Sequence, residues 1–191
     1  LSVADGIAAL RFVRPERLNA LDVPTAEAFR DAVAAALDDP AARVLLVSSE
    51  GRAFMAGGDL AAMRDPRTRG EVVPRIIGPI HDALKRLEAG DLPVVCAAQG
   101  AVAGAGLSIL AGADLAVASE DARFSTAYVG IGATPDCGGT WALPRLVGVR
   151  RALELFLLGE PVDAAEALRI GLVNRVVPPG ALAGEAQAIA A

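Results

Sequence analysis

The chain has 191 residues, and 18 Lys and Arg against 23 Asp and Glu leave a formal charge of −5. Hydrophobic residues make up 53% but aromatics only 4%, so Ala, Val and Leu must build the core; a chain of this length buries roughly 70% of its unfolded surface and needs neither disulfide nor metal to fold. This composition excludes a disordered chain, and the acidic balance argues against non-specific nucleic-acid binding, which relies on Lys and Arg to neutralise phosphates.

In chain order, Asp5-Gly6 leads into a short strand over Ile7 to Val13. Asp22 is a good N-cap with Pro24 in the first turn, and Ala26 to Leu37 has helical composition up to Asp38-Asp39-Pro40. Val44 to Val47 is a continuous apolar run that fits a strand buried on both faces. Ser48 to Gly58 reads as a loop, Asp59 as the cap of a short helix through Met63, and Arg64 to Gly70 as a mobile polar loop carrying Pro66. Val72 to Leu87 has apolar residues at near-helical spacing and ends at Ala89-Gly90-Asp91. The pattern then recurs, with a strand at Pro93 to Ala97, a Gly/Ala-rich turn at Gly100 to Gly106 and a small-residue helix to Leu110. Strands follow at Leu115 to Ala118 and Ala122 to Phe124, then a long loop from Tyr128 to Gly139. Helices are expected at Thr140 to Leu146 and Arg150 to Leu158, and Asp163 caps a helix over Ala164 to Arg169 before a strand at Leu172 to Val177. Ala181 to Ala191 is an Ala-rich tail. Strand, Gly-rich loop and helix repeat about three times, which predicts α/β layering with parallel strands; no linker divides residues 1–191, so a single domain is expected.

Cys96 and Cys137 have no metal-binding spacing, and the single histidine, His81, excludes a multi-histidine zinc site. No metal or separate cofactor is expected. Two scattered cysteines make a reducing cytoplasm the default. The longest apolar stretch, Leu92 to Leu110, is interrupted by Gln99, Ser108 and helix-weakening Gly and Pro, so no membrane span is expected. Gly104-Ala105-Gly106 lacks the third glycine of a dinucleotide fingerprint, no phosphate-binding loop is present, and Gly106 to Leu110 lacks the last glycine of a nucleophile elbow. A Ser108–His81–Asp triad would need the lone histidine, which falls mid-helix.

Two loops stand out together: Ala53 to Leu60, with Gly57-Gly58, and Gly100 to Gly106. Each follows a buried strand and opens a helix. Free N–H groups at helix starts attract anions, and two of them converging from separate loops would form an oxyanion hole. The same glycines also suit close packing of helix on strand. Spacing alone favours the packing reading.

Arg14 to Leu21, Ala53 to Leu60, Gly100 to Gly106 and Pro135 to Thr140 occur in an order and spacing that resembles the crotonase, or enoyl-CoA hydratase/isomerase, superfamily; Ala164 to Ala167 through Gly171-Leu172-Val173 resembles a further stretch of it. The resemblance covers nearly the whole chain. It implies a spiral of ββα units and an acyl-CoA thioester as substrate, with coenzyme A as part of that substrate. It places the oxyanion-hole amides at Gly58, after Ala56-Gly57, and at Ala105, after Gly104. It places the coenzyme A nucleotide against Gly58-Asp59-Leu60 and the main chain from Leu18 to Ala20. Helix capping is the other, stronger reading of Asp59. The resemblance further implies C-terminal helices after Val176-Val177-Pro178 that cover the site and build a homotrimer or a dimer of trimers; the chain stops at Ala191, where that portion would begin.

The departures from the pattern bear on the reaction. Hydratases of this family use two glutamates, whose places here hold Ser108 and Tyr128. Asp136 stands eight residues after the second place, where hydratases have a small residue. An acidic residue there resembles certain double-bond isomerases, most of all those of phenylacetate degradation, and also the aryl-CoA dehalogenases, in which the Asp is a nucleophile. One carboxylate that takes a proton from one carbon and returns it to another performs a 1,3-shift. The bland reading makes Asp136 an N-cap for the helix near Gly138. Tyr128 either orients the acyl group or packs as an aromatic, Met55 and Met63 line either an acyl pocket or the core, and His81 belongs to a helix surface or interface. The expected function is an enoyl-CoA isomerase. The alternatives are a hydratase, a dehalogenase-type enzyme, and a non-catalytic acyl-CoA-binding protein with a degenerate site. RNA binding, found in an occasional family member, is disfavoured by the net charge.

Overall fold

Short runs of Val, Leu and Ala in this chain become strands, and the small residues between them let helices lie close on the sheet. The computed structural model describes residues 1–65 and 67–191. Its elements are β1 (Ser2–Ala4), β2 (Ile7–Phe12), α1 (Val23–Asp38), β3 (Val44–Ser49), β4 (Ala53–Met55), α2 (Arg69–Ala89), β5 (Val94–Ala98), β6 (Ala101–Ala103) and α3 (Ala105–Ala111). They continue with β7 (Leu115–Ser119), β8 (Arg123–Ser125), α4 (Gly139–Val147), α5 (Val149–Leu158), β9 (Val162–Asp163), α6 (Ala164–Arg169), β10 (Arg175–Val177) and α7 (Leu182–Ala190).

Two sheets result. The larger has the order β1-β2-β3-β5-β7-β10, parallel except for the β1–β2 pair. The smaller has the order β4-β6-β8-β9, parallel up to the antiparallel β9. Successive β3-β4-α2, β5-β6-α3 and β7-β8-α4 segments therefore send one strand to each sheet before a helix, the ββα spiral that the resemblance implied. The strand–loop–helix reading was too coarse. The loops expected at 48–58 and 100–106 each contain a three-residue strand, too short and too glycine-flanked for a period of two to be visible.

The large sheet is buried on both faces, as the unbroken apolar runs predict. Alternation along β3 sends Leu45 and Val47 to the main core, with Phe29 and Val33 of α1 and Ile76 and Ile80 of α2. Val44 and Leu46 go to the opposite face, with Ile7, Val95 and Val117 under Leu182 and Ala186 of α7. The Ala-rich tail is thus a helix that covers the second face.

The caps fall where the side chains allow. The Asp22 carboxylate accepts the Thr25 amide at 2.9 Å, and that of Asp163 accepts the Glu166 amide at 2.8 Å. After Asp59 there is a single turn, closed by Met63 N to Asp59 O at 3.2 Å, rather than a helix. Of the polar loop expected at Arg64 to Gly70, Arg69 and Gly70 already belong to α2, and Pro66 lies outside the described residues. The last strand starts at Arg175 rather than Leu172.

Candidate active site

The two glycine loops meet. Gly57 and Gly104 both have left-handed backbones, with φ of 96° and 53°, which glycine adopts without a Cβ penalty. A Cβ on Gly104 would lie 3.5 Å from the Gly57 Cα, and one on Gly57 would lie 3.3 Å from the Ala103 carbonyl and 3.7 Å from the Ala105 nitrogen. A parallel bridge joins Leu21 to this loop: the Leu21 amide donates to Gly57 O and the Asp59 amide donates to Leu21 O, both at 2.8 Å. The Gly58 amide is therefore turned away from that bridge. Ala105 opens α3, so its amide has no acceptor within the helix. Gly106 follows the packing reading instead, since a Cβ there would come within 2.6 Å of the Met55 carbonyl. Gly57 and Gly104 thus meet where the two loops approach, and Gly106 serves the packing of helix on strand.

A polar knot holds the first loop. Leu18 and Asn19 have φ of 51° and 55°, and Asn is one of the few residues that tolerates this region. The fully buried Asn19 amide donates to Glu50 O at 2.9 Å and Ala53 O at 2.8 Å, and its oxygen accepts the Arg14 amide at 2.9 Å. The Leu18 carbonyl accepts the Ala56 amide at 3.0 Å. Arg14 reaches Ala20 O at 2.9 Å, Asp22 at 3.1 Å and Asp59 at 3.0 Å. The Asp59 carboxylate also caps the turn, accepting the Ala61 and Ala62 amides at 3.0 and 3.3 Å. Both its carboxylate and its own amide are thus engaged within the protein. Partial burial alone would raise the Asp22 pKa, but the Thr25 hydroxyl and amide and the Arg14 charge outweigh it and hold the carboxyl below the usual carboxylate range. Leu60 is exposed, Met63 places its methyl against Gly58, and Met55 is a core residue.

Ser108 and Tyr128, the positions that the resemblance set against two glutamates, are linked to Asp136. The Tyr128 hydroxyl donates to Asp136 Oδ1 at 2.7 Å, and the Ser108 hydroxyl lies 3.2 Å from the Tyr128 oxygen. Tyr128 has one proton and gives it to the carboxylate, so Ser108 donates in turn to Tyr128. Ser108 and Tyr128 are buried. Burial, and then the Asp136 charge, push the Tyr128 pKa far up, so this phenol remains a donor. Gly139, which opens α4, lies against Ser108: a Cβ there would fall 2.5 Å from its hydroxyl.

Asp136 is not an N-cap. Gly138 occupies that position without a side-chain cap, and Asp136 contributes only its carbonyl, to the Gly139 amide at 3.0 Å. His81 is not on a free surface: its Nε2 accepts the Cys137 amide at 3.1 Å. With Ser108 bonded to Tyr128, this ends the Ser108–His81–Asp reading. Burial, then the neighbouring Asp136 charge, raises the Cys137 thiol, and burial pushes the Cys96 thiol up to about 12, so neither is a ready nucleophile.

Motif reading placed Asn19 and Arg14 within a matching stretch without giving either side chain a role, and it missed the bond that His81 accepts. The left-handed tolerance of Asn was the available signal for Asn19. Among the described residues no group of three or more His, Cys, Asp or Glu is placed to hold a metal ion, and no helix is long and apolar enough to cross a membrane.

Comparison with known proteins gives the same family. The model of the enoyl-CoA hydratase/isomerase family matches residues 2–191. The chain is 38% identical to a crotonyl-CoA hydratase of Syntrophomonas wolfei, over all of this chain (100%) and 73% of that protein. It is 37% identical to a 1,2-epoxyphenylacetyl-CoA isomerase of Escherichia coli, over 98% of this chain and 72% of that protein. A crystal structure of an enoyl-CoA hydratase from Mycobacterium avium subsp. paratuberculosis superposes with a TM-score of 0.89 at 34% identity, over 98% of this chain and 74% of that one.

Proposed function

Since the chain belongs to the enoyl-CoA hydratase/isomerase family, we propose that it shifts a carbon–carbon double bond of an enoyl-CoA thioester, with Asp136 as the proton carrier. The observation that carries this reading is the Ser108–Tyr128–Asp136 chain of hydrogen bonds. The places of two glutamates hold two hydroxyls, and those hydroxyls are spent on orienting one carboxylate. A hydratase must both activate water and deliver a proton; a single carboxylate suits moving one proton between two carbons.

On a 3-enoyl thioester, Asp136 takes a proton from C2. The C–H electron pair moves into the thioester as a dienolate, and the negative charge falls on the carbonyl oxygen. The Gly58 and Ala105 amides receive that oxygen, each such donor contributing roughly 3–4 kcal/mol. Asp136, now protonated, returns the proton to C4 and the double bond comes to rest between C2 and C3. Tyr128 pins Oδ1, which assigns the proton to Oδ2. Leu18, Ala20, Ala56, Asp59 and Leu60 border the first loop and form the side on which coenzyme A would lie, with Gly104 closing the second.

The test follows conjugation of the thioester by ultraviolet absorbance. A 3-enoyl-CoA should gain absorbance with the wild-type protein and not with Asp136→Asn. Loss of absorbance from a 2-enoyl-CoA, with 3-hydroxyacyl-CoA formed, would make the protein a hydratase. Tight binding of both esters without turnover would make it a binding protein. A stable adduct on Asp136 with an aryl-CoA would make that residue a nucleophile.

A further inference from the structure

His81 is the one histidine of the chain, and it is spent on a backbone amide. The Cys137 N–H donates to Nε2 at 3.1 Å, so that nitrogen is the acceptor of the bond. The amide belongs to the residue next to Asp136, in a stretch whose backbone is left-handed at Cys137 (φ 50°) and Gly138 (φ 75°). A non-glycine residue in this region is held there by its surroundings rather than by its own preference. The Cys137 side chain is buried in the core, and three hydrogen bonds among the described residues hold the stretch: Tyr128 to the Asp136 side chain, Gly139 to the Asp136 carbonyl, and Cys137 to His81. Only the last ties the loop to α2.

We propose that His81 is a positioning residue: by accepting the Cys137 amide it clamps the Asp136 loop to α2 and holds Asp136 in place for proton transfer. The inference rests on the reading of Asp136 as proton carrier. His81 opens onto a groove of about 900 Å³. The titratable and charged groups along it are Lys85, Glu88 and Asp91 on and just after α2, Asp114 after α3, Cys137 in the loop and Arg145 on α4, with Asp136 adjacent in sequence to Cys137. Asp114 accepts the Val94 amide at 2.7 Å, and Arg145 lies over the Trp141 ring, 4.1 Å from its centroid. Those two groups are thus engaged elsewhere than at the imidazole.

Two variants separate acceptor from packing. His81→Gln keeps an acceptor near the place of Nε2; His81→Leu fills the space without one. A loop set off by an ångström loses on the order of 10²-fold in rate, so H81L should lose about 10- to 100-fold in kcat at neutral pH with KM little changed, and H81Q should recover most of it. Hydrogen exchange without substrate should show the Cys137 amide protected in wild type and H81Q and open in H81L. Equal protection in all three proteins overturns the clamp, and an H81Q no more active than H81L overturns the role of the acceptor. A wild-type protein inert towards 3-enoyl-CoA overturns the isomerase reading, while exchange at Cys137 still decides the clamp.

Discussion

The two sides of the candidate site are built in opposite ways. The side that would receive the thioester oxygen is main chain: Gly57 and Gly104 approach so closely that a Cβ on Gly104 would lie against the Gly57 Cα, Leu21 bridges the loop, and the buried Asn19 and the Arg14–Asp22–Asp59 cluster hold it. The side that would move protons is three side chains, Ser108, Tyr128 and Asp136, of which Asp136 sits on a loop tied to α2 by one imidazole. No ordinary side-chain substitution deletes an amide, but one substitution at 108, 128 or 136 alters the chain of hydrogen bonds. A scaffold so divided would leave the main-chain side constant while the side chains vary, and relatives of similar identity to this chain carry both hydratase and isomerase names.

That division can be broken by kinetics. The largest effect belongs to Asp136→Asn, which should cost between ~10² and ~10⁴ in kcat, the usual range for a lost general acid–base group, with KM nearly unchanged. Next is Ala105→Pro, measured the same way. Proline is tolerated at the first position of a helix, so the variant removes one amide while sparing α3, and kcat should fall by about 10²- to 10³-fold. Normal kcat in this variant would remove Ala105 from the oxyanion hole. Tyr128→Phe should lower kcat by about 10-fold, since a hydrogen bond to a charged group is worth roughly 1.5–3 kcal/mol and the carboxylate itself remains. Arg14→Ala acts on the other side: it leaves the buried Asp59 without its cation and should lower stability by about 1–3 kcal/mol in urea titrations, with a rise in KM larger than any fall in kcat. A pure kcat effect would contradict the division.

The smallest effect is that of Asp22. Its alanine variant should lose about 1 kcal/mol as a cap residue. Its carboxyl is held below the ordinary value in the folded state. The stabilisation is therefore complete above the unfolded pKa, near 3.9, and is lost as pH falls from there through the folded value. Urea midpoints of wild type and D22A should converge on acidification over that window.

What the sequence made legible was whatever is local. Asp22 and Asp163 announce their helices because a cap bonds three residues away, and the Val44 to Val47 run announces a doubly buried strand because burial is written in consecutive residues. Strands β4 and β6 escaped because three residues carry no period and their pairing lies in a second sheet. The single turn after Asp59 escaped because its cap is shared with Arg14, 45 residues earlier in the numbering. Asp136, Tyr128 and Ser108 were found by position within a family pattern. Their bonds to one another were not, and His81 could not be, since its partner is a backbone amide that any residue would supply.

The cover of the large sheet by α7 has a bearing on how the molecule comes together. Ile7, Val44, Leu46, Val95 and Val117 form a sheet face whose partner helix follows every strand in the chain. Parallel strands joined by long crossovers are slow to assemble, and an apolar face left open meanwhile invites association with other chains. During synthesis that face exists, in part or whole, before residues 182–190 have been made. A chaperone acting on this nascent chain would have its work concentrated there, and the docking of a nine-residue, alanine-rich helix would end the need for it.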